Sequence, residues 1–186
     1  MVAELTLLQS ERQHLADLLE AVQRCVYFLD ASERKIPLPL SPGLLELRKT
    51  DPELFEPLAA VNERFAKLQD TLGAAMRHAV LLSGERADSF LKVLALFVKA
   101  GVVESIEAWQ TCRAARNLAA HDYEIDYAAI AEHFNTLSEL LPMLYATSSN
   151  LLDYCAASLG ISPADGGLRQ LFQAAVTRRL ATVVLL

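Results

Sequence analysis

Four residues whose side chains can handle protons and phosphate lie close together in the sequence. Arg116, Asn117, His121 and Tyr123 come at the end of an alanine-rich segment. A histidine that titrates near neutral pH can act as a general acid or base, and a permanently charged arginine can stabilise negative charge on a phosphate. These two side chains would suffice to cleave a phosphodiester of RNA without a metal ion or another cofactor.

The spacing of these residues sets how they could meet. Asn117 and His121 are four apart and would share one face of a helix, where the amide could orient the imidazole. Arg116 and His121 are five apart, about 140° around an ideal helix. They would converge only through long side-chain reach, a distorted last turn or a second subunit. Arg113, one turn before Arg116, either supports substrate binding or forms surface ion pairs.

The pattern resembles the signature of the HEPN superfamily, in which Arg is followed by Asn and, after three further residues, by His-x-Tyr. The match is closest to HepT-like toxins and to related substrate-binding subunits of minimal nucleotidyltransferases. The flanks agree: Trp109 precedes the arginine by seven residues, and Leu141-Pro142 falls in the next helix. Ile125 follows the tyrosine one residue sooner than in the usual pattern. Composition predicts the four-residue set by chance in roughly 0.0002 of such chains, against roughly a quarter for the Arg–His pair alone.

The resemblance implies a specific activity and specific partners. HEPN ribonucleases act as homodimers in which the motifs of two subunits line one cleft, with the histidine as general acid or base and the arginine on the phosphate. In HepT-like toxins a nucleotidyltransferase antitoxin modifies the motif tyrosine with AMP, and the matching residue is Tyr123. We therefore predict an endoribonuclease toxin of a HEPN/nucleotidyltransferase pair, with RNA as substrate and no metal or cofactor.

Two alternatives stay open at the level of sequence. The chain could be a catalytically inactive HEPN subunit that binds nucleotide or substrate for a minimal nucleotidyltransferase, or a plain helical scaffold whose motif is coincidental. Trp109 is interpreted as a core anchor. His14, His78 and His133 lack neighbours of suitable sequence spacing and are interpreted as surface or core-edge residues.

The elements that must position the motif are helical. Apolar residues recur at spacings of three and four in several long segments, which predicts an all-α, up-and-down bundle of four to five HEPN-like helices with an extra C-terminal helix. Expected helix boundaries include caps at Asp51, Ser105 and Asp126, and Pro142 predicts a kink inside the last long helix. We divide the chain into a bundle at 1–159 and a linker with an amphipathic helix at 160–186.

Composition limits the class of protein. The chain has 186 residues, 53% of them hydrophobic and 22% charged, with a net charge of −6. These values exclude a disordered polyelectrolyte and argue against a protein that coats DNA or anionic membranes. No run of 18 apolar residues and no signal-peptide pattern occur, so a cytoplasmic location is expected. The three cysteines lack CxxC spacing and are expected to be buried, inert thiols rather than zinc ligands or disulfides.

Overall fold

The computed structural model describes residues 2–118 and 126–183, and within those ranges its regular elements are all helices. The side chains at 2–5, 117, 118, 182 and 183 lie outside the description. The elements are α1 (Val2–Glu33), α2 (Pro42–Leu47), α3 (Pro52–Leu82), α4 (Phe90–Lys99), α5 (Ile106–Leu118), α6 (Tyr127–Tyr154), a π-helical turn (Cys155–Leu159) and α7 (Arg169–Val183). The predicted all-α bundle with an extra C-terminal helix is confirmed.

Three long helices, α1, α3 and α6, form the centre of the bundle. Arg64 donates to the carbonyl of Phe28 at 3.2 Å, and the His78 ring nitrogen lies 2.9 Å from the carbonyl of Glu11. Residue numbers that rise on α3 while they fall on α1 show that these two helices are antiparallel. Contacts between Val26 and Tyr145 and between Glu33 and Ser138 show the same for α1 and α6.

The predicted apolar stripes supply the core. Their fully buried members include Leu15, Leu19, Val22, Val26 and Leu29 on α1, Phe65, Leu68 and Leu72 on α3, and Leu137, Leu141 and Leu144 on α6. The spacing predicts that the apolar stripe of α1 includes Leu8, and this prediction is wrong, because Leu8 is 50% exposed. Helix α3 ends at Leu82, shortly after His78, and His78 lies opposite Glu11 of α1. Helix α3 therefore offers little surface to the first turns of α1. No helix among the described residues is long and apolar enough to cross a membrane.

Side-chain caps fix the helix starts that the sequence predicts. Asp51 accepts from the backbone N–H of Glu53 at 2.9 Å, Ser105 from Ala108 at 3.0 Å, and Asp126 from Ala128 at 2.9 Å. The apolar spacing predicts a further helix over roughly Asp88 to Ala100, and the structure places it at Phe90–Lys99, because Ser89 caps its start. α6 continues through Pro142 to Tyr154.

The C-terminal helix α7 packs against α1 and α6. Arg178 pairs with Asp30 at 2.7 Å, and Arg179 pairs with Glu33 at 2.7 Å and donates to the carbonyl of Ser138 at 3.1 Å. Asp30 and Glu33 are largely buried, so these pairs are poorly screened by solvent. The loop before α7 is also attached to the bundle, since the N–H of Ala164 donates to a carbonyl of α1.

Candidate functional site: an arginine-lined cleft

Helix α5 positions the arginines of the motif. Trp109, Cys112 and Ala115 recur every three residues and are buried, so this face of α5 packs against the core. Arg113 and Arg116 follow two of these positions by one residue, which turns them away from the core, and Arg113 is exposed while Arg116 is partly buried. The Ser105 cap and the Trp109 anchor thereby set the direction in which both guanidinium groups leave the bundle.

Both arginines line a cleft of about 250 Å³ between α3, α4 and α5, which we call the arginine cleft. Its walls are formed by Gln69, Asp70, Gly73, Arg77, Phe90, Trp109, Arg113 and Arg116. Three arginines face one carboxylate there, although the whole chain carries a net charge of −6. The cleft is therefore a local positive site on an acidic protein, the electrostatic condition for attracting an anion.

Asp70 holds the motif arginine. Its Oδ1 lies 2.5 Å from Nη1 of Arg116, and the two side chains are 58% and 32% exposed. A pair so open to solvent contributes little to stability, about 0–1 kcal/mol. The pair matters for ligand binding, because the Asp70 carboxylate neutralises part of the positive charge on Arg116 that a phosphate would meet. An anionic ligand must compete with Asp70 for the Arg116 guanidinium.

Arg77 is a cationic residue of the cleft that sequence spacing does not indicate, since it lies on α3 and far from the motif. Its guanidinium carbon lies 4.3 Å from the centre of the Phe90 ring, a cation–π contact that holds the side chain at the cleft. Gly73, one turn earlier, lies beside this stack: a Cβ there would make ordinary van der Waals contact with Phe90 at 3.5 Å and with the Arg77 Nη1 at 3.7 Å. Among the described residues Arg77 has no ion pair, so its charge is available to a ligand.

The floor of the cleft contains a buried glutamine. Gln69 is 3% exposed, and its Nε2 donates to the carbonyl of Trp109 at 3.2 Å. Its Oε1 is buried without a hydrogen-bond partner. This oxygen is inaccessible to solvent, so its missing hydrogen bond is a cost to the fold and not a contact offered to a molecule in the cleft.

The rest of the motif lies outside the described residues. The backbone of Asn117 belongs to α5, but its side chain is not described, and neither are His121 and Tyr123. The structure thus places Arg113 and Arg116 together and adds Arg77, Asp70 and Gln69 to them. It does not test whether the histidine, tyrosine and asparagine join them, and their assigned roles stay predictions.

The other histidines have partners that sequence spacing does not reveal. The rings of His14 and His78 meet edge to face with centres 4.8 Å apart, and His78 Nε2 lies 3.1 Å from a carboxylate oxygen of Glu11. His133 Nε2 lies 3.2 Å from Oδ1 of Asn62. These contacts join neighbouring helices outside the arginine cleft. They could not be found from spacing because each pair comes from two different elements.

The three cysteines are free thiols, and Cys112 and Cys155 are buried. Burial raises the pKa of each of these two thiols to about 12, which keeps them protonated and unreactive at neutral pH. The pKa of Cys25 is also raised by burial. Within 2–118 and 126–183, no three His, Cys, Asp or Glu side chains are grouped so that they could hold a metal ion.

No protein-family model, curated protein or solved structure matches this chain. The HEPN resemblance therefore depends on the residues from Arg116 to Tyr123 and on their flanks. The described structure contributes the helical bundle and the arginine cleft, and the function has to be argued from those two features and the motif.

Proposed function

We propose that this protein is a metal-independent endoribonuclease of the HEPN type, in which the arginine cleft holds the phosphodiester and His121 acts as general acid or base. The observation that carries the proposal is the cleft itself, where arginines from two helices face the end of α5 that leads into the motif. His121 follows Arg116 by five residues, and this short covalent connection limits its distance from the cleft.

The charges of the cleft suit an RNA phosphate better than a broad nucleic-acid groove. Once a phosphate displaces Asp70, Arg116 can donate two parallel N–H groups to two phosphate oxygens, and Arg113 and Arg77 add charge to the same cleft. A few cations on an acidic protein predict weak non-specific affinity and a modest salt dependence. This is the behaviour expected of an enzyme that holds one phosphodiester, and no binding of DNA is expected.

The proposed partners follow from the HEPN resemblance. A homodimer would bring two copies of Arg116 and His121 to one cleft. A minimal nucleotidyltransferase antitoxin would add AMP to Tyr123, and the added phosphate would neutralise the arginine charge and block the substrate. The protein and its partner would act in the cytoplasm.

The Asp70–Arg116 pair favours a second candidate, a catalytically inactive subunit that binds nucleotide or substrate for such a nucleotidyltransferase. A guanidinium already paired with a carboxylate has less charge to offer a transition state, yet it can still exchange partners when a nucleotide phosphate arrives. The two candidates share the ligand chemistry and differ in whether a bond is broken.

Cleavage of a mixed-sequence RNA in the presence of EDTA by wild type, Arg116→Ala and His121→Ala separates these possibilities. We expect cleavage by the wild type and a loss of about 10²–10³-fold in each variant, because each removes transition-state charge stabilisation or proton transfer. The matched control is Arg24→Ala, an exposed arginine on α1 that pairs with Glu20. It should cleave like the wild type.

Titration of the same proteins with a nucleotide, alongside the cleavage assay, gives a clear result for each alternative. Phosphate-dependent nucleotide binding that Arg116→Ala abolishes, without any cleavage, would replace the ribonuclease by the inactive subunit. Neither binding nor cleavage would leave a helical scaffold. Sedimentation of the purified protein tests the homodimer, and a stable monomer at micromolar concentration would contradict a cleft shared by two subunits.

A further inference from the structure

The arginine cleft adjoins a hollow of about 390 Å³ between α3 and α4, which we call the α3–α4 hollow. Arg77 and Phe90 line both spaces, so the two side chains form the wall between them. Four other residues that line the hollow are apolar: Val80, Leu81, Ala87 and Val93. A ligand held in the arginine cleft can therefore extend past Arg77 onto an apolar surface.

The wall between the two spaces is a flat cation on an aromatic ring. The guanidinium carbon of Arg77 lies over the Phe90 ring, 4.3 Å from its centre. Trp109 supports Phe90 from the core, with the two ring centres 5.8 Å apart. The Arg77 side chain is exposed, so the side of the guanidinium that does not touch Phe90 faces solvent. Guanidinium planes held in this way are among the surfaces on which unpaired RNA bases stack.

The charges of the two spaces suit different parts of a nucleotide. The arginine cleft combines three arginines with one carboxylate, whereas the α3–α4 hollow combines Arg77 with the carboxylates of Glu85 and Asp88. Asp88 pairs with Lys92 at 2.7 Å, which offsets part of that negative charge. A phosphate is attracted to the arginine cleft and not to the hollow, while an uncharged base can lie against the apolar lining of the hollow.

We propose that the α3–α4 hollow is a base subsite, in which Arg77 stacks on the base of the nucleotide next to the phosphate held by Arg116. This inference rests on the proposed function for the position of the phosphate. Every base has a π-face, so stacking on Arg77 requires a base but not a particular one. Arg77 is then a substrate-binding residue that fixes the position of the nucleotide relative to Arg116.

Binding of two short oligomers of equal charge tests the base subsite. One is a 2′-O-methyl pentauridylate, which has no free 2′-hydroxyl and cannot undergo the proposed cleavage, and the other is the same backbone without bases. Fluorescence anisotropy measures the affinity of the full chain for each oligomer. We expect the wild type to bind the uridylate about 5- to 100-fold more tightly, the range that stacking of one base provides. Equal affinities, or no binding of either oligomer, would overturn the base subsite.

Arg77→Lys separates a stacking surface from a phosphate contact. The lysine keeps the positive charge at an exposed position but has no planar group. The affinity for the uridylate should therefore fall to within about twofold of that for the abasic oligomer, whose own affinity should change by less than about twofold. Arg113→Lys, the matched change in the arginine cleft, should leave the ratio of the two affinities as in the wild type. An equal fall of both affinities in Arg77→Lys would show that Arg77 contacts phosphate, and would contradict the proposal.

The base subsite and the ribonuclease proposal fail separately. A wild type that cleaves RNA but binds the two oligomers equally would overturn the base subsite and leave the ribonuclease. A base preference that depends on Arg77, in a chain that cleaves no RNA, would support the base subsite and overturn the ribonuclease in favour of the nucleotide-binding subunit.

Discussion

The arginine cleft differs in charge, and in what holds its walls, from a second cleft of about 270 Å³ between α1, α6 and α7, the α7 cleft. Arg77, Arg113 and Arg116 outnumber one carboxylate in the first, while Asp153, Asp165 and Arg169 leave the second slightly acidic. A large aromatic residue, Trp109, anchors the wall of the first. Ion pairs between α7 and α1 hold the second. One helical bundle thus carries two clefts of different charge.

The difference lies in where each cleft obtains its rigidity. Trp109 is 2% exposed, its ring lies 5.8 Å from that of Phe90, and its carbonyl receives the Gln69 amide. The arginine cleft therefore depends on packing inside the core. The α7 cleft depends on Arg178 and Arg179, which attach a short helix to largely buried carboxylates of α1. Substitution of a packed side chain leaves a cavity, whereas substitution of one member of a buried ion pair leaves an uncompensated charge. The walls of the two clefts can therefore be compared by substitution.

The largest effect is expected for Trp109→Ala. Removal of a buried tryptophan leaves a cavity in the wall of the arginine cleft, and the free energy of unfolding should fall by about 3–5 kcal/mol. Urea titration followed by circular dichroism measures the change. The control is Leu47→Ala on α2, where an 83% exposed side chain should matter by less than about 0.5 kcal/mol. A loss below about 1 kcal/mol at Trp109 would show that the cleft wall does not depend on it.

Arg179→Met tests whether buried charge holds the other wall. It leaves the Glu33 carboxylate, 12% exposed, with Ser138 as its remaining described partner, and should lower the free energy of unfolding by about 2–4 kcal/mol. Adding Glu33→Gln to the same chain should recover part of this loss, because the uncompensated charge is then gone. The ion pair is not what holds α7 if Glu33→Gln lowers the free energy of unfolding of the Arg179→Met variant as much as it lowers that of the wild type.

Asp70→Asn in the arginine cleft should change the affinity for a ligand more than it changes the stability of the fold. The pair with Arg116 is exposed, so stability should change by less than about 1 kcal/mol. Affinity for a short oligouridylate should rise, and the slope of log affinity against log salt should steepen by about 0.7, the value for one additional phosphate contact on a single strand. Glu20→Gln on α1 is the control and should change neither quantity. An unchanged slope would show that Asp70 does not compete with phosphate.

The smallest expected effect concerns the thiols behind the two clefts, Cys112 on α5 and Cys155 on the π-helical turn. Their pKa values are raised from 9.0 to about 12 by burial, so the folded chain retains these protons more strongly than the unfolded chain. The stabilisation is complete below pH 9 and is lost as the pH rises from 9 towards 12. Urea midpoints at pH 8, 9 and 10.5 should therefore fall less in Cys112→Ala than in the wild type. Equal falls of the urea midpoint in the two proteins would contradict the assignment of this pH dependence to the Cys112 thiol.

The local signals in the sequence predicted most of the helices. The caps at Asp51, Ser105 and Asp126 lie where expected, since a cap needs only a side-chain oxygen and the N–H groups two or three residues later. The stripe on α3 from Leu58 to Ala79 is buried as its spacing predicts. Local hydrogen bonds and helical periodicity involve few residues, and a single sequence contains them in full.

The candidate site was predicted in part. Arg116 belongs to the motif and Arg113 lies one turn before it, so the sequence indicates both, and the structure places both at one cleft. Asp70 and Arg77 were missed, because they lie on α3 and only the packing of α3 against α5 brings them there. Burial of Leu8 was wrongly expected for a similar reason: periodicity gives the face of a helix, but not where its neighbour ends.

The sequence by itself determined the helical class, the main caps and the motif from Arg116 to Tyr123, because each depends on residue types at short spacing. The tertiary structure alone decided that Asp70 pairs with Arg116, that Arg77 stacks on Phe90, and that Gln23 and Gln69 are buried with an unsatisfied oxygen. Those features come from side chains far apart in the chain, whose contacts exist only once the helices have packed.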